Sequence, residues 1–253
     1  MHNVKQTFSW WCFENRGVDS SDLLKEAKKI GYVGVEYLPN ELWNEAIDTG
    51  LSITNFRGHD PLEMGFNHLE NHNFLESEVS KNLELSGKYK IPFLTVFSGD
   101  RLGIDESIGL ANTVIGLKRL VPLAEELGVT LVMELLNSKI DHPDHQCDRT
   151  SWAAAVCEII NSPNLKILFD IYHVQVMEGN IIQSILSNLD HIAHIHTAGV
   201  PGRNDIDDSQ ELNFAAITQA VIDGGYQGLI GHEFLPKDNP VDALKVAYQI
   251  CNV

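Results

Sequence analysis

No apolar run in the 253 residues approaches the roughly 20 needed to cross a bilayer, so the sequence contains no candidate membrane-spanning helix. Basic residues are scarce. Eighteen lysines and arginines stand against 35 acidic residues, a formal charge of −17, and a phosphate backbone would on balance be repelled. Nucleic acid is therefore disfavoured as a partner. The four cysteines, Cys12, Cys147, Cys157 and Cys251, lack the close pairing of a zinc ribbon, redox motif or disulfide framework, and read as reduced thiols packed in the core. The first six residues have no basic patch, apolar stretch or small-residue cleavage site, so a cytoplasmic location is the expectation. Also missing are a Pro/Ser-rich linker, a low-complexity tract and a charge block, which makes one domain over residues 1–253 the economical reading.

What is present is an ordinary globular composition, 43% hydrophobic and 21% charged. Short apolar runs alternate with segments of helical periodicity from end to end, the pattern of parallel strands joined by crossover helices. Eight strand candidates cover residues 6–12, 33–37, 51–56, 93–97, 130–135, 166–170, 191–197 and 229–233. Helices are expected after Ser20-Ser21, over 106–127 before Gly128, over 151–160 before Ser162-Pro163, and over 210–224 and 241–251. The polar stretch 58–73 reads as a long loop on the active-site face. Eight units fit an α/β architecture, either a closed (β/α)8 TIM barrel or an open doubly wound sheet. The glycine fingerprint of a dinucleotide fold is absent after the first strand, where the chain reads Ser9-Trp10-Trp11-Cys12-Phe13, and this favours the barrel.

Metal-capable residues fall at the C-terminal ends of four successive strands, where a barrel places its chemistry. The runs are Leu131-Val132-Met133-Glu134, Ile167-Leu168-Phe169-Asp170, His194-Ile195-His196 and Ile230-Gly231-His232-Glu233. Three carboxylates converging in a low-dielectric pocket need a positive charge among them. Three oxygens and one nitrogen suit one divalent ion such as Mn2+, Mg2+, Co2+ or Fe2+, and zinc also accepts such donors. His194 is expected to point out of the barrel as packing, His232 to face away from Glu233, and His2 and His191 to lie on the surface. Trp10 and Trp11 lie near the end of the first strand; one of the two should point inward, and Trp10 is expected to wall the pocket. Arg101 is a candidate contact for a carboxylate or a hydroxyl-rich tail. The 141–148 segment adds His142 and His145 to the same face.

These strand ends, with Gly31-Tyr32-Val33-Gly34-Val35-Glu36-Tyr37, Met133-Glu134-Leu135-Leu136-Asn137, Phe169-Asp170-Ile171-Tyr172-His173, His194-Ile195-His196-Thr197-Ala198-Gly199 and Pro201-Gly202-Arg203, resemble the xylose-isomerase-like barrel superfamily. The hydroxypyruvate isomerase and ketose 3-epimerase branches are the most similar. The resemblance implies a metal on Glu134, Asp170, His196 and Glu233, with Glu134 and Glu233 moving protons on opposite faces of a small hydroxy-carbonyl or sugar substrate. It implies an enediolate formed by loss of a C–H proton, which the metal stabilises. It implies that His173 and Arg203 bond substrate oxygens and that the chain assembles as a homodimer or homotetramer; Glu36 ends the second strand and His59 follows the third, so both are expected to reach the pocket. Two departures are visible. Hydroxypyruvate isomerases carry glutamine where His196 stands, and the epimerases carry a further substrate-binding glutamate where Ile140 stands. An inosose-dehydratase-like lyase is the near alternative. A non-catalytic sugar-binding barrel and an abasic-site endonuclease are more distant ones, the last opposed by the charge.

Overall fold

A computed structural model describes residues 4–253, so His2 lies outside the described residues. The strands are β1 (Lys5–Ser9), β2 (Gly34–Glu36), β3 (Ser52–Arg57), β4 (Phe93–Val96), β5 (Thr130–Glu134), β6 (Leu165–Asp170), β7 (Ile192–Thr197) and β8 (Leu229–His232). They form a closed barrel in chain order, so the (β/α)8 expectation holds and the open sheet is excluded. No helix among the described residues is long and apolar enough to cross a membrane.

By the density of its contacts the chain divides into two units. The first runs to Thr54 and adds Asn180–Leu189 and His194–Val253. Here β1 lies between β2 and β8, and β8 pairs with β7, all parallel, with Ser9 opposite Glu36 and His196 opposite Gly231. The helices of this unit include α2 (Ser20–Ile30), α9 (Phe214–Asp223) and α10 (Pro240–Cys251), with α10 packed against both others. Asp19 caps α2 by accepting from the Ser21 amide, so the cap is one residue earlier than the serines. Asn239 caps α10 with Pro240 at its first turn, where a missing N–H costs nothing. Phe8, Phe13, Tyr32 and Phe234 meet edge to face in the core of this unit, with ring centroids 5.1–5.7 Å apart.

The second unit comprises Asn55–Gly179 and Asp190–Ala193. It pairs β3, β4, β5 and β6 in parallel and packs α4 (His72–Tyr89) against α5 (Glu106–Leu127). Asp105 caps α5, and Gly128 ends it at a positive φ of 66°, which a side chain would resist. The sixth helix of the chain is α6 (Thr150–Ile160).

Several short elements were not legible in the sequence. The first strand stops at Ser9, and Trp10–Phe13 form a helical turn, α1. Trp43–Thr49 form α3, and the crossover after β6 is broken into α7 (Ile171–Met177) and α8 (Ile181–Ser187) around Gly179. The ninth helix starts at Phe214 rather than 210, because Asn213 supplies the cap by accepting from the Ala216 amide. All four cysteines are buried free thiols, as expected. Burial pushes Cys157 and Cys251 up to about 12, which leaves them poor nucleophiles at neutral pH.

Candidate metal centre

In the first unit the site grows from the ends of β2, β7 and β8. Glu36 ends β2 and is fully buried. Its Oε1 accepts from the Thr7 hydroxyl, and its Oε2 accepts from His194 Nε2 at 2.9 Å and His196 Nε2 at 3.1 Å. Glu36, His194 and His196 make one set of donors, with ligand atoms within 4.8 Å of one another. The expectation that His194 points outward is corrected. Residues two apart on a strand share a face, so His194 and His196 stand side by side, ring centroids 4.7 Å apart. His232, one residue from Glu233, does turn the other way and bonds Thr197 Oγ1 and Gln6 Oε1. Gly231, just before His232, must lack a side chain, since a Cβ there would come within 2.4 Å of Glu36 Oε1.

Glu233 follows β8 with both oxygens engaged. Oε1 accepts from Trp11 Nε1 at 2.9 Å, Oε2 accepts from Arg203 Nη2 at 2.6 Å, and His196 Nδ1 stands 3.3 Å from Oε2. Arg203 also lies over the Trp11 ring, 5.3 Å from its centroid. The tryptophan at this carboxylate is therefore Trp11. Trp10 is buried and donates to Glu14 Oε2, because the helical turn that begins after Ser9 swings neighbouring side chains apart. Trp11 had no distinguishing signal, since its placement depends on where the strand stops.

Burial alone would push both carboxyls up. For Glu36 the facing His194 and His196, and for Glu233 the facing His196 and Arg203, reverse this and hold them well below the usual carboxylate range. Burial would push His196 down, but Glu233 and Glu36 raise it well above 6.5.

In the second unit, Glu134 ends β5 and Asp170 ends β6, both buried. Asp170 Oδ1 accepts from the Tyr172 and His173 amides at 2.8 and 3.2 Å, so the carboxyl caps α7. His173 Nδ1 accepts from the Asn137 backbone amide at 3.1 Å, which puts the ring proton on Nε2, 3.8 Å from Asp170 Oδ2. Asn137 also holds the following segment, accepting at Oδ1 from the Ile140 and Asp141 amides. Tyr172 donates to Asp141 Oδ2. The 141–148 segment is no free flap. His145 is buried with Nε2 3.1 Å from Ser98 Oγ, and Arg101 donates to the His145 carbonyl and to Asp148 Oδ2. Arg101 thus pins this segment. His59 is buried, and its Nε2 accepts from the Phe97 amide at 3.1 Å.

Buried acidic and histidine groups able to hold a metal ion comprise the Glu36, His194, His196 set and a second set of Glu134, Asp170, His196 and Glu233. The second donor set, three carboxylates and an imidazole, matches the needs of a hard or borderline divalent cation.

Buried histidines outside these sets, His59 and His232 among them, make stability depend on pH. Burial lowers His59 from 6.5 to about 4 and His232 from 6.5 to about 3. As pH falls below 6.5 the unfolded chain takes up the protons first, so stability is full above 6.5 and is lost toward the folded values. His196 works the other way: its contribution is complete below 6.5 and disappears only as pH rises through its raised folded value. Between pH 6.5 and 5 the metal-free protein should therefore lose about 2 kcal/mol for each of His59 and His232. Thermal unfolding across that range should show a falling midpoint that His59→Gln and His232→Gln each flatten. A slope unchanged by either substitution would contradict the assignment.

A family model described as the xylose isomerase-like TIM barrel matches residues 17–250. A putative hydroxypyruvate isomerase of Homo sapiens is 37% identical over 122 residues, which cover 48% of this chain and 44% of that protein. A 2-oxo-tetronate isomerase of Cupriavidus necator is 36% identical over 110 residues, 44% of this chain and 42% of that one. Each match thus takes in less than half of the relative's own length. Among solved structures, an AP endonuclease, family 2, from Brucella melitensis superposes with a TM-score of 0.83 at 21% identity, covering 95% of this chain and 97% of that one, a likeness of fold.

Proposed function

The chain belongs to the xylose isomerase-like TIM barrel family, and from that premise we propose that it is a metal-dependent isomerase or epimerase of a small hydroxy-carbonyl compound. The observation that carries this reading is the set of four buried donors, Glu134, Asp170, His196 and Glu233, each within one residue of the C-terminal end of its strand. Together they are the residues that would hold one divalent cation. When bound, such a cation polarises a carbonyl and acidifies the neighbouring C–H.

The chain's own groups then have separate tasks. One of Glu134 and Glu233 takes the proton from the carbon bearing the hydroxyl, and the substrate passes through its enediolate form. Return of the proton to the former carbonyl carbon exchanges aldehyde and ketone. Return to the original carbon from the other face inverts it. Arg203 brings a fixed positive fork beside Glu233, suited to a substrate carboxylate or hydroxyl, and the ring of Trp11 lies against that fork. His173, held as the Nε2–H tautomer, donates to a substrate oxygen. A 2-oxo acid substrate agrees with Arg203 and with the names of the two relatives.

The test is metal analysis of the purified protein together with deuterium uptake from solvent into hydroxypyruvate, tetronates, ketoses and inososes. One divalent ion per chain and exchange at a single substrate carbon are expected. Absence of both the ion and the exchange would overturn the reading, and exchange accompanied by loss of water would turn it into a dehydratase.

A further inference from the structure

We propose that Glu36 is a positioning residue that holds His196 as the Nε2–H tautomer and so makes Nδ1 the metal-binding nitrogen of the ring, an inference that rests on the metal site proposed above. Glu36 reaches His196 across two intervening strands of its unit, since β1 and β8 lie between β2 and β7. That path is open because Gly231 of β8 has no side chain where the carboxylate passes, and because Thr7 of β1 contributes a short hydroxyl that bonds it. The carboxylate is fully buried and accepts from Thr7, His194 and His196, so it meets protein donors rather than substrate.

A carboxylate offers only lone pairs. The 3.1 Å bond from His196 Nε2 to Glu36 Oε2 therefore places a proton on Nε2. In a neutral imidazole the other nitrogen then carries the lone pair, and Nδ1 stands 3.3 Å from Glu233 Oε2. A lone pair facing a carboxylate oxygen at that distance is favourable only with a cation, a proton or a metal, beside both. Glu36 fixes the ring plane, selects the tautomer and raises the donor strength of Nδ1, the work an outer carboxylate does for a metal-ligating histidine. The role of Glu36 at the centre is thereby exerted through His196.

The experiment is titration of chelator-stripped protein with Mn2+ by calorimetry, for the wild type, Glu36→Gln, Thr7→Val and His196→Ala. Replacing the carboxylate should weaken binding roughly 10- to 100-fold, with a smaller loss for Thr7→Val and the largest for His196→Ala. In parallel, wild-type protein labelled with 15N-histidine should show His196 protonated at Nε2, with its Nδ1 resonance shifting when diamagnetic Zn2+ is added. If Glu36→Gln does not fold, this second measurement decides alone, because it needs no variant at Glu36. A shift at Nε2 instead of Nδ1, or wild-type affinity in a folded Glu36→Gln while His196→Ala has lost binding, overturns the positioning role and leaves the metal site standing. No Mn2+ bound by the wild type overturns the metal site itself.

Discussion

Glu233→Gln and Glu134→Gln are each expected to lower turnover by roughly 100- to 10,000-fold, the range for loss of a proton-transferring side chain. Glutamine keeps the length and shape of glutamate but has one oxygen, so only one of the bonds from Trp11 Nε1 and Arg203 Nη2, which end on different oxygens of Glu233, is kept, and the basic site and the negative charge are gone. The two substitutions should also differ in kind. In an isomerase that shuttles one proton with one carboxylate, replacing that residue removes all exchange of substrate hydrogen with solvent, while replacing the other leaves exchange detectable. In an epimerase each glutamate serves one face, so each single variant keeps exchange only on the face of the glutamate that remains and loses inversion. Measuring deuterium uptake and product formation at saturating Mn2+ separates these cases and removes weakened metal binding as the cause. Both variants turning over at wild-type rates would exclude the glutamates from proton transfer.

What was legible in the sequence follows from which signals are local. An acidic residue or histidine directly after an apolar run marks a strand end whatever the rest of the chain does, so Glu134, Asp170, His196 and Glu233 could be picked out one strand at a time. The α/β class was legible from the repeated alternation, the barrel only from the missing glycine fingerprint after the first strand, and α5 because Asp105 and Gly128 bracket it. Trp11 was not separable from Trp10, because the end of β1 at Ser9 is decided by pairing with β2 and β8 rather than by its own residues. His194 was misjudged although the period of two held the answer, since residues 194 and 196 must share a face. The role of Glu36 was hidden for a physical reason: its partners Thr7, His194 and His196 are 29 or more positions away in the chain, and only strand register brings them to one carboxylate. The burial of His145 under Arg101 is likewise long-range, fixed by the Asp100 and His145 bridge.

Asp170 carries two tasks on one carboxyl, and substitution should separate them. Oδ1 caps α7 through the Tyr172 and His173 amides, and Oδ2 is the oxygen offered to the cation in the proposed site. Asparagine caps a helix about as well as aspartate but is an uncharged and much poorer ligand for a hard cation. Asp170→Asn should therefore leave the unfolding midpoint of metal-free protein within about a degree of the wild type, while Mn2+ affinity falls by more than the roughly 10- to 100-fold typical of an outer-shell partner. Asp170→Ala should lose the same affinity and also the cap, about 1 kcal/mol or a few degrees in midpoint. Because a ligand that binds only the folded state raises its stability by mass action, Mn2+ should lift the wild-type midpoint and leave both variants unmoved. An Asp170→Asn protein that is stabilised by Mn2+ as the wild type is would make Asp170 a helix cap alone, and the cation would then rest on Glu134, His196 and Glu233.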